Sequence, residues 1–275
     1  WPLIGGACYL FTFDSSVVSI ANSEVYAVAA QDASFIEVFN STTRYTQAFD
    51  HASVRFSLSN TQELWCLDFS AVTVSNSEIS WRFKVFDLSN ATATDSTIWA
   101  IEANQNSAVW LSNSTCGSYD LLGESGVYVC WYLDIHVIDS IGQDFPSANV
   151  TATFSNGTEA ESGFTDLRGR IRFTLIEKAM NATADYPVGN YTVEATYETY
   201  SSHTTVNMTG NQQIAMELQM ALDTVSPVIS VLFPENKTYA VKDVPLTFTV
   251  NETTSWIGYS LDGQANTTIS GNTTL

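Results

Sequence analysis

Glycine and proline are missing from a long part of this 275-residue sequence. Neither residue occurs between Ala7 and Cys116, whereas residues 117–275 hold 12 of the 14 Gly and 5 of the 6 Pro. Tight two-residue hairpins need positive φ angles and strongly favour Gly. A parallel β-helix has gentler corners, which Asn, Asp and Ser can form. For the first part of the chain, a right-handed parallel β-helix is therefore favoured over the alternative, an antiparallel β-sandwich.

Charged residues are also scarce, at 14 % of the chain, and they are unbalanced. There are 10 Lys and Arg against 29 Asp and Glu, which gives a net charge of −19. Such a chain repels the phosphates of nucleic acids and anionic membrane surfaces, so neither is expected as a partner. The sequence has no run of 18 or more apolar residues, and no membrane insertion is predicted for the visible chain.

Recognisable catalytic constellations are absent as well. His51, His136 and His203 lie in different segments at no metal-ligand spacing. His136 alternates with Asp134 on a predicted strand, which a solvated face explains. No Gly-rich phosphate loop or nucleophile elbow occurs. The chain is therefore predicted not to be an enzyme, and no cofactor is expected apart from calcium, which the acidic excess could bind through oxygen ligands.

What the first part does contain is a recurring four-residue phrase. A polar residue, usually Asn or Asp, is followed by Ser or Ala, a free position, and then Val, Ile or Phe; the copies lie at 14–17, 22–25, 32–35, 51–54, 76–79, 95–98, 106–109 and 124–127. Repeats of about twenty residues are typical of solenoids. At about 4.8 Å per coil, roughly six coils would form a rod of about 30 Å.

Two features of the repeat leave other functions open. Asp14, Asp32 and Asp95 share one position of the phrase, and a β-helical polysaccharide lyase or hydrolase would use clustered carboxylates; a column of turn residues is the favoured interpretation. Four tryptophans could form a platform on which sugars stack, although packing between coils is favoured; they are Trp65, Trp81, Trp99 and Trp110.

Potential N-glycosylation sites are strongly enriched. Of the 18 Asn, 12 lie in Asn-x-Ser/Thr triplets, where the abundance of Ser and Thr predicts about four by chance. These acceptors indicate an extracellular surface carrying N-linked glycans; they are Asn40, Asn90, Asn113, Asn149, Asn156, Asn181, Asn190, Asn207, Asn236, Asn251, Asn266 and Asn272.

The four cysteines are interpreted as two disulfides. Cys8, Cys66, Cys116 and Cys130 have irregular spacing and no Cys-x-x-Cys motif, which favours disulfides in an oxidising compartment over a metal site. Three connectivities are open, and Cys8 with Cys66 and Cys116 with Cys130 is preferred. The start of the chain without Met is consistent with a trimmed secretory precursor. The apolar residues 1–13 are expected to cap the solenoid or, as the alternative, to add a strand to a neighbouring subunit.

From Trp131 the pattern changes to strands separated by turns. About seven strands are predicted in residues 131–222, the count of a β-sandwich. Residues 165–173 read Thr-Asp-Leu-Arg-Gly-Arg-Ile-Arg-Phe and follow a turn from Asp139 to Gly142. This pattern resembles the Ig-like, carboxypeptidase-regulatory type of extracellular module over about 90 residues. The resemblance implies a fold rather than an activity.

After a linker at residues 223–226, a third pattern begins at Pro227. Residues 227–239, 244–250 and 255–263 resemble the opening half of Ig-like repeats in archaeal surface proteins, with a hairpin expected in Trp-Ile-Gly-Tyr-Ser-Leu-Asp-Gly at 256–263. The resemblance implies an archaeal cell-surface glycoprotein. Only about four of some seven strands are visible, so strand addition from a neighbouring subunit is expected to complete this module.

The sequence thus predicts an all-β chain with three parts: a repeat domain at 1–130, an Ig-like sandwich at 131–222 and a partial Ig-like module at 223–275. The predicted function is that of an extracellular structural glycoprotein at the cell surface, which assembles with itself into a filament, sheath or surface layer. The alternative is an adhesin or carbohydrate-binding stalk, with other surface proteins or polysaccharide as partners. A β-helical lyase or hydrolase comes third.

Overall fold

The structure is a computed structural model that describes residues 8–219 and 226–275. All regular secondary structure in these residues is β-strand, as predicted. The chain divides into two compact units, Trp1–Met220 and Ala221–Leu275. The apolar residues 1–7 and most of the predicted linker at 223–226 lie outside the described residues. None of the described segments forms a helix with the length and hydropathy that a membrane crossing requires.

The repeat region consists of fourteen strands that alternate between two sheets. They are β1 (Tyr9–Thr12), β2 (Val17–Ala21), β3 (Glu24–Ala30), β4 (Phe35–Phe39), β5 (Thr42–Ala48), β6 (Ser53–Ser57), β7 (Asn60–Cys66), β8 (Ala71–Ser75), β9 (Glu78–Val85), β10 (Asn90–Thr94), β11 (Thr97–Ala103), β12 (Ala108–Ser112), β13 (Thr115–Leu121) and β14 (Gly126–Asp139). The odd-numbered strands form a seven-stranded sheet, and the even-numbered strands stack in a second sheet.

Within these sheets every pairing from β1 to β14 is parallel, and partners recur every 18 or 19 residues. Tyr9 pairs with Ala27, Ala27 with Tyr45, and Tyr45 with Glu63, while one extra residue separates Glu63 from Arg82. The prediction of a parallel β-solenoid in place of a sandwich is confirmed. The seven strands of the odd sheet exceed the predicted number of coils by about one.

The core of the solenoid lies between the two sheets. Alternate residues of the even strands and the inward residues of the odd strands are fully buried in the middle coils and only partly buried in β1, β2 and β13; the fully buried ones include Ile36, Phe56, Leu64, Phe83 and Ile101. Equivalent positions of successive coils lie above one another, so the inward side chains form continuous rows along the solenoid axis. A single coil could not cover this apolar surface, so each coil depends on its neighbours.

A short corner joins each even strand to the following odd strand. Its first residue has a positive φ and is Asn or Asp in all but one coil, as in Asn22, Asn40 and Asp95. Its second residue is always Ser, and we name these the corner serines: Ser23, Ser41, Ser59, Ser77, Ser96 and Ser114. Asn and Asp tolerate the left-handed region better than most residues, which explains why the corner needs no glycine.

The corner serines form a continuous ladder of hydrogen bonds. Each Oγ donates to the carbonyl two residues before it at 2.7–3.0 Å. From Ser41 onward, each Oγ also accepts the main-chain N–H of the corner serine in the preceding coil, at 3.0–3.2 Å. Each of these hydroxyl groups therefore supplies an acceptor for a main-chain N–H and adds a second hydrogen bond to a carbonyl that also accepts a main-chain N–H from the preceding coil.

A longer corner of four residues joins each odd strand to the next even strand. Its second residue has a positive φ, and five consecutive coils place Asp there: Asp14, Asp32, Asp50, Asp68 and Asp87. The main-chain N–H of the fourth residue bonds the carbonyl of the first, as Ala52 does with Phe49 at 3.0 Å. The phrase found in the sequence therefore merges two corners, since Asn22 and Asp95 belong to the short corner and Asp14 to the long one. The distances between successive copies of the phrase are irregular for this reason.

The second part of the first unit is a β-sandwich. Its further strands are β15 (Asn149–Phe154), β16 (Glu159–Phe164), β17 (Arg170–Asn181), β18 (Asp185–Pro187), β19 (Asn190–Tyr197), β20 (Tyr200–Asn207) and β21 (Gln212–Leu218). The sheet β16-β15-β19-β20 faces β14, β17 and β21 across a core that includes Leu133, Phe173 and Tyr191. Strands β16 and β17 are separated by a turn at residues 165–169.

Strand β14 belongs to both parts of this unit. Its first half pairs in parallel with β12 of the solenoid, and its second half pairs in parallel with β21. Strand β17 runs antiparallel to almost the whole of β14 and so covers the last coil. The segments predicted as separate domains at 1–130 and 131–222 therefore share a sheet.

Two turns of the sandwich use the same arrangement of an aspartate and a glycine. Asp139 Oδ1 accepts the main-chain N–H groups two and four residues later, and so does Asp166 Oδ1, at 2.8–2.9 Å. Gly169 has a φ of 67°, and a Cβ at this position would lie 2.4 Å from the carbonyl oxygen of Val137. The Thr-Asp-x-x-Gly pattern thus marks a turn, as the resemblance implied.

The second unit contains β22 (Ile229–Phe233), β23 (Pro245–Val250), β24 (Gly258–Tyr259), β25 (Thr267–Thr268) and β26 (Thr273–Thr274). Strands β22, β23 and β26 form one sheet, and β24 pairs with β25. The predicted hairpin at 256–263 is therefore longer than expected, because its return strand begins at Thr267. No residue from 226 to 275 is buried.

We predict that Ser59→Ala destabilises the solenoid by about 1–3 kcal/mol, because the buried N–H of Ser41 loses its acceptor. Denaturant unfolding of the purified chain measures this difference. Ser19→Ala, at an exposed position of β2, is the matched control and should change the free energy of unfolding by less than about 0.5 kcal/mol. Equal effects of the two substitutions would contradict the role of the ladder.

We also predict that Asp166 makes stability depend on pH. The N–H groups of Arg170 and Arg168 hold the pKa of its carboxyl below the usual value. Its contribution is therefore complete above the unfolded-state pKa of about 4 and is lost as the pH falls through the lower folded-state pKa. The difference in unfolding free energy between wild type and Asp166→Asn should shrink between pH 6 and pH 2. A difference that stays constant between pH 6 and pH 2 would contradict this role of Asp166.

Candidate functional site: a groove across the seven-stranded sheet

The odd strands of the solenoid bend near their third residue. In β3, Val25 and Val28 are both buried although they lie three residues apart, so the two residues between them both face outward. The same spacing occurs in β5, where Thr43 and Thr46 are buried. Register shifts in the β7–β9 and β9–β11 pairings fall at this point as well. The bends stack from coil to coil and leave a groove that runs along the solenoid axis.

The groove is lined by two parallel rows of outward side chains. A cavity of about 760 Å³ extends from Cys8 to Ser80, and a second one of about 280 Å³ extends from Ser80 to Gly117. We name the first row the rim row, which consists of Glu24, Thr42, Asn60, Glu78, Thr97 and Thr115, and the second the floor row, which consists of Tyr26, Arg44, Gln62, Ser80, Trp99 and Gly117. The ladder register pairs successive residues of the rim row, and each floor-row residue lies two positions after a rim-row residue, at the bend where the ladder pairing is interrupted.

Aromatic rings and one cation dominate the floor row. Trp99 is 66 % exposed, although large aromatic side chains are usually covered. The guanidinium carbon of Arg44 lies 5.5 Å from the ring centroids of both Tyr26 and Tyr45. No carboxylate of the described residues lies within 4.0 Å of Arg44, whereas Arg82 and Lys84 share Glu102. Arg44 is thus a cation held on aromatic faces and open to a ligand.

Gly117 keeps the end of the groove open. A Cβ at this position would lie 2.7 Å from the carbonyl oxygen of Trp99 in the neighbouring strand. Any side chain would therefore push β13 away from β11. The absence of a side chain also leaves the indole of Trp99 uncovered on the side that faces β13.

Sequence reasoning found only part of this surface. Of the four tryptophans proposed as a platform, Trp99 lies in the groove and Trp81 follows Ser80 next to it. Trp65 is covered by the ammonium group of Lys84, which lies 4.2 Å from its ring centroid. Trp110 lies on the other sheet and stacks on Tyr128 at 4.1 Å. The floor row was missed, although its spacing of 18 residues from Tyr26 to Arg44 and Gln62 could have revealed it.

The three carboxylates considered for catalysis do not converge. Asp14 and Asp32 stack in the long corner, where the N–H of Asp14 donates to Asp32 Oδ2 at 3.3 Å. Asp95 lies in the short corner, where it accepts a hydrogen bond from Asn113. The phrase position that they share in the sequence therefore corresponds to two different corners.

The histidines and acidic residues offer no evident ion site in the part of the chain that the structure describes. No group of three or more His, Cys, Asp or Glu side chains is placed there to hold a metal ion. His136 contacts Asp144 at 2.8 Å, while Asp134 pairs with Arg172 at 2.7 Å. His136 and Asp134 share the partly exposed face of β14, as the solvated interpretation predicted, and they do not pair with each other because each has another partner. His51 stacks on Phe69.

All four cysteines are free thiols in the structure. The predicted pairing of Cys8 with Cys66 is wrong, since β1 and β7 are three strand spacings apart, or about 14 Å, and a disulfide needs Cα atoms within about 7 Å. Cys116 lies on β13 and Cys130 on β14, and they are not linked. Burial raises the pKa of Cys66 and of Cys130 to about 11, so both thiols are protonated at neutral pH.

The predicted glycan acceptors lie at the surface. Eleven of the twelve Asn side chains are exposed, and Asn113 is half-buried. Asn113 also differs in its hydrogen bonds, because its amide nitrogen donates to Asp95 and its oxygen accepts from Asn211 at 2.7 Å. None of the twelve acceptors lines the groove.

The chain matches no protein-family model and no curated protein. Among solved structures it is similar to the shaft pilin SpaA of Lactobacillus rhamnosus GG, with 11 % identity over 32 % of this chain and 46 % of that one, at a TM-score of 0.27. It is also similar to BcpA, the major pilin subunit of Bacillus cereus, with 16 % identity over 33 % and 30 % and a TM-score of 0.25. The Bacillus anthracis TIE protein has 16 % identity over 51 % and 32 %, with a TM-score of 0.28.

These solved structures are bacterial pilins and a further bacterial protein, and the chain spans less than half the length of each. TM-scores this low carry no argument about the fold or the function of this chain. The functional proposal must therefore come from the residues themselves.

We predict that Asn90 carries a glycan in the native protein and that Asn113 does not. A glycan on Asn113 would replace the amide hydrogen bond to Asp95 and would have to fit beside Asn211. Mass spectrometry of intact glycopeptides compares the two sites directly. A glycan on Asn113, or no glycan on any of the twelve acceptors, would contradict the prediction.

Proposed function

We propose that this chain is a structural glycoprotein of the cell exterior, and that its copies assemble into a filament, sheath or surface layer. The stacked coils support this role, because each coil is hydrogen-bonded and packed against the next as in a stiff rod. The density and exposure of the glycan acceptors support an extracellular location. An archaeal source is proposed from the resemblance of residues 227–263 to Ig-like repeats of archaeal surface proteins.

The observation that carries self-assembly is the exposed edge strand β22. It lies at the end of its three-stranded sheet, and its apolar side chains Ile229, Val231 and Leu232 are 50 %, 59 % and 61 % exposed. An edge strand with free main-chain groups and uncovered apolar residues on both faces is a template for pairing with another strand. Soluble proteins normally cover or charge such an edge.

We assign a strand of a second copy as the partner of β22. The sequence Ile-Ser-Val-Leu-Phe from Ile229 to Phe233 contains no charged residue, whereas the whole chain carries a net charge of −19. The negative charge makes copies of this chain repel one another over most of their surface. At the uncharged edge strand two copies can approach with less electrostatic repulsion. Added main-chain hydrogen bonds and apolar burial would then supply the affinity.

The test compares assembly of the 275-residue chain with that of a charged variant. In Val231→Lys, a charge interrupts the edge, and the loss of one buried apolar contact of about 1.5–3 kcal/mol raises the concentration needed for assembly about ten- to hundredfold. Sedimentation velocity over a concentration series, with electron microscopy of the largest species, measures this shift.

Val241→Lys is the matched control. Val241 is 63 % exposed in the same unit but lies outside the strands, so this variant should assemble like the wild type. A wild-type chain that stays monomeric at all concentrations would overturn the proposal. Unchanged assembly of Val231→Lys would show that β22 is not the contact.

A further inference from the structure

The groove across the seven-stranded sheet has features that a structural role does not require. A rod needs only its core and its corners, yet the floor row exposes Trp99 and holds Arg44 without a carboxylate partner among the described residues. An exposed aromatic ring and an unpaired cation in one groove are the groups with which a ligand can be bound. The groove lies wholly within the solenoid, so it is independent of the edge strand β22.

The direction of the groove restricts what can occupy it. It crosses β3 to β13 at right angles to the strands, and the main-chain groups of these strands are used in the parallel ladder. A peptide lying in the groove could not add to the sheet as a strand, which is the usual way in which an extended peptide gains affinity on a sheet. The occupant must instead be recognised by side chains.

The chemistry of the side chains indicates a sugar polymer. The rim row presents hydroxyl, amide and carboxylate groups from residues such as Thr42, Asn60 and Glu78, which can donate to or accept from hydroxyl groups. The floor row presents the exposed ring of Trp99, which can cover the apolar C–H face of a pyranose ring, whereas the ring of Tyr26 contacts Tyr9, Tyr45 and Arg44. Such alternation of ring faces and hydrogen-bonding groups matches a chain of linked sugars.

The dimensions fit a linear chain. The groove crosses six strands, and five steps of about 4.8 Å give a length of roughly 24 Å. One coil step is close to the length of one sugar residue in an extended chain, so successive coils would present similar groups to successive sugars. No glycan acceptor of this protein lines the groove, so its own sugars leave the floor row accessible.

We propose that the groove binds a linear polysaccharide, with a pyranose ring stacked on Trp99 and a polar group of the polymer against Arg44. A sugar carboxylate is the group that best complements the unpaired guanidinium. Neutral sugars share the stacking on Trp99 and would form their hydrogen bonds with the rim row, without a contribution from the charge of Arg44. The distinction between acidic and neutral polymers is left to the experiment.

The first experiment applies the purified 275-residue chain to an array of linear oligosaccharides of four to eight sugars, both neutral and uronate-containing. The proposal expects binding to at least one linear series that strengthens with chain length, because a longer chain occupies more coils. The absence of binding to every member of the array would overturn it. Binding that is independent of chain length would also contradict a groove of six coils.

The second experiment locates the site by titration of the best oligosaccharide. Trp99→Ala should weaken binding at least about tenfold, since the stacking surface is lost. Trp110→Ala removes an exposed indole from the opposite sheet of the same solenoid and should leave the affinity unchanged. Equal affinities of wild type and Trp99→Ala would place the ligand elsewhere and overturn the assignment.

Arg44→Gln separates the two classes of polymer. If the ligand is acidic, this variant should lose affinity about as strongly as Trp99→Ala, and the affinity of the wild type should fall with rising salt. If the ligand is neutral, Arg44→Gln and salt should have little effect while Trp99→Ala still weakens binding. Thermal unfolding of each variant confirms that the solenoid is intact.

Discussion

The hydroxyl groups of the corner serines are the interaction on which the structure depends. A solenoid whose short corners contain no glycine must turn its chain twice per coil and still satisfy the main-chain groups that the turns release. Each Ser Oγ from Ser41 to Ser114 does this for its own coil and for the one before it. The ladder thereby fixes the register between coils, because a shift of one residue would leave every rung without its partner.

A fixed register converts a loose repeat into ordered rows of side chains. Positions that differ in the sequence, such as Tyr26, Arg44 and Gln62, become neighbours about 4.8 Å apart. The core rows can be apolar throughout, and the outer rows are free to vary. The groove therefore exists only when several coils are stacked, since each coil contributes one residue to each row. The side chain at the floor position differs from coil to coil between Tyr26 and Gly117.

The sequence was sufficient for the class of fold and insufficient for the site. The lack of glycine and the recurring Asn-Ser and Asp-Ser pairs predicted parallel coils, since local corner chemistry is readable in single residues. The two corners look alike in sequence, so Asp14 and Asp95 were given one position although they lie on different corners. The floor row depends on a bend at Tyr26 and on stacking at long range, which leave no local signal. The predicted disulfide between Cys8 and Cys66 was wrong for the same reason. The distance between these two residues is set by the number of coils that separate them.

The continuity of β14 has a mechanical consequence. A single strand of 14 residues carries hydrogen bonds to β12 at one end and to β21 at the other, while β17 bridges both halves. Tension applied to the sandwich therefore passes into the coils through a covalent backbone clamped on both sides, without a hinge to absorb it. Solenoid and sandwich should bend, twist and unfold as one cooperative body, which makes residues 8–219 a single rigid lever.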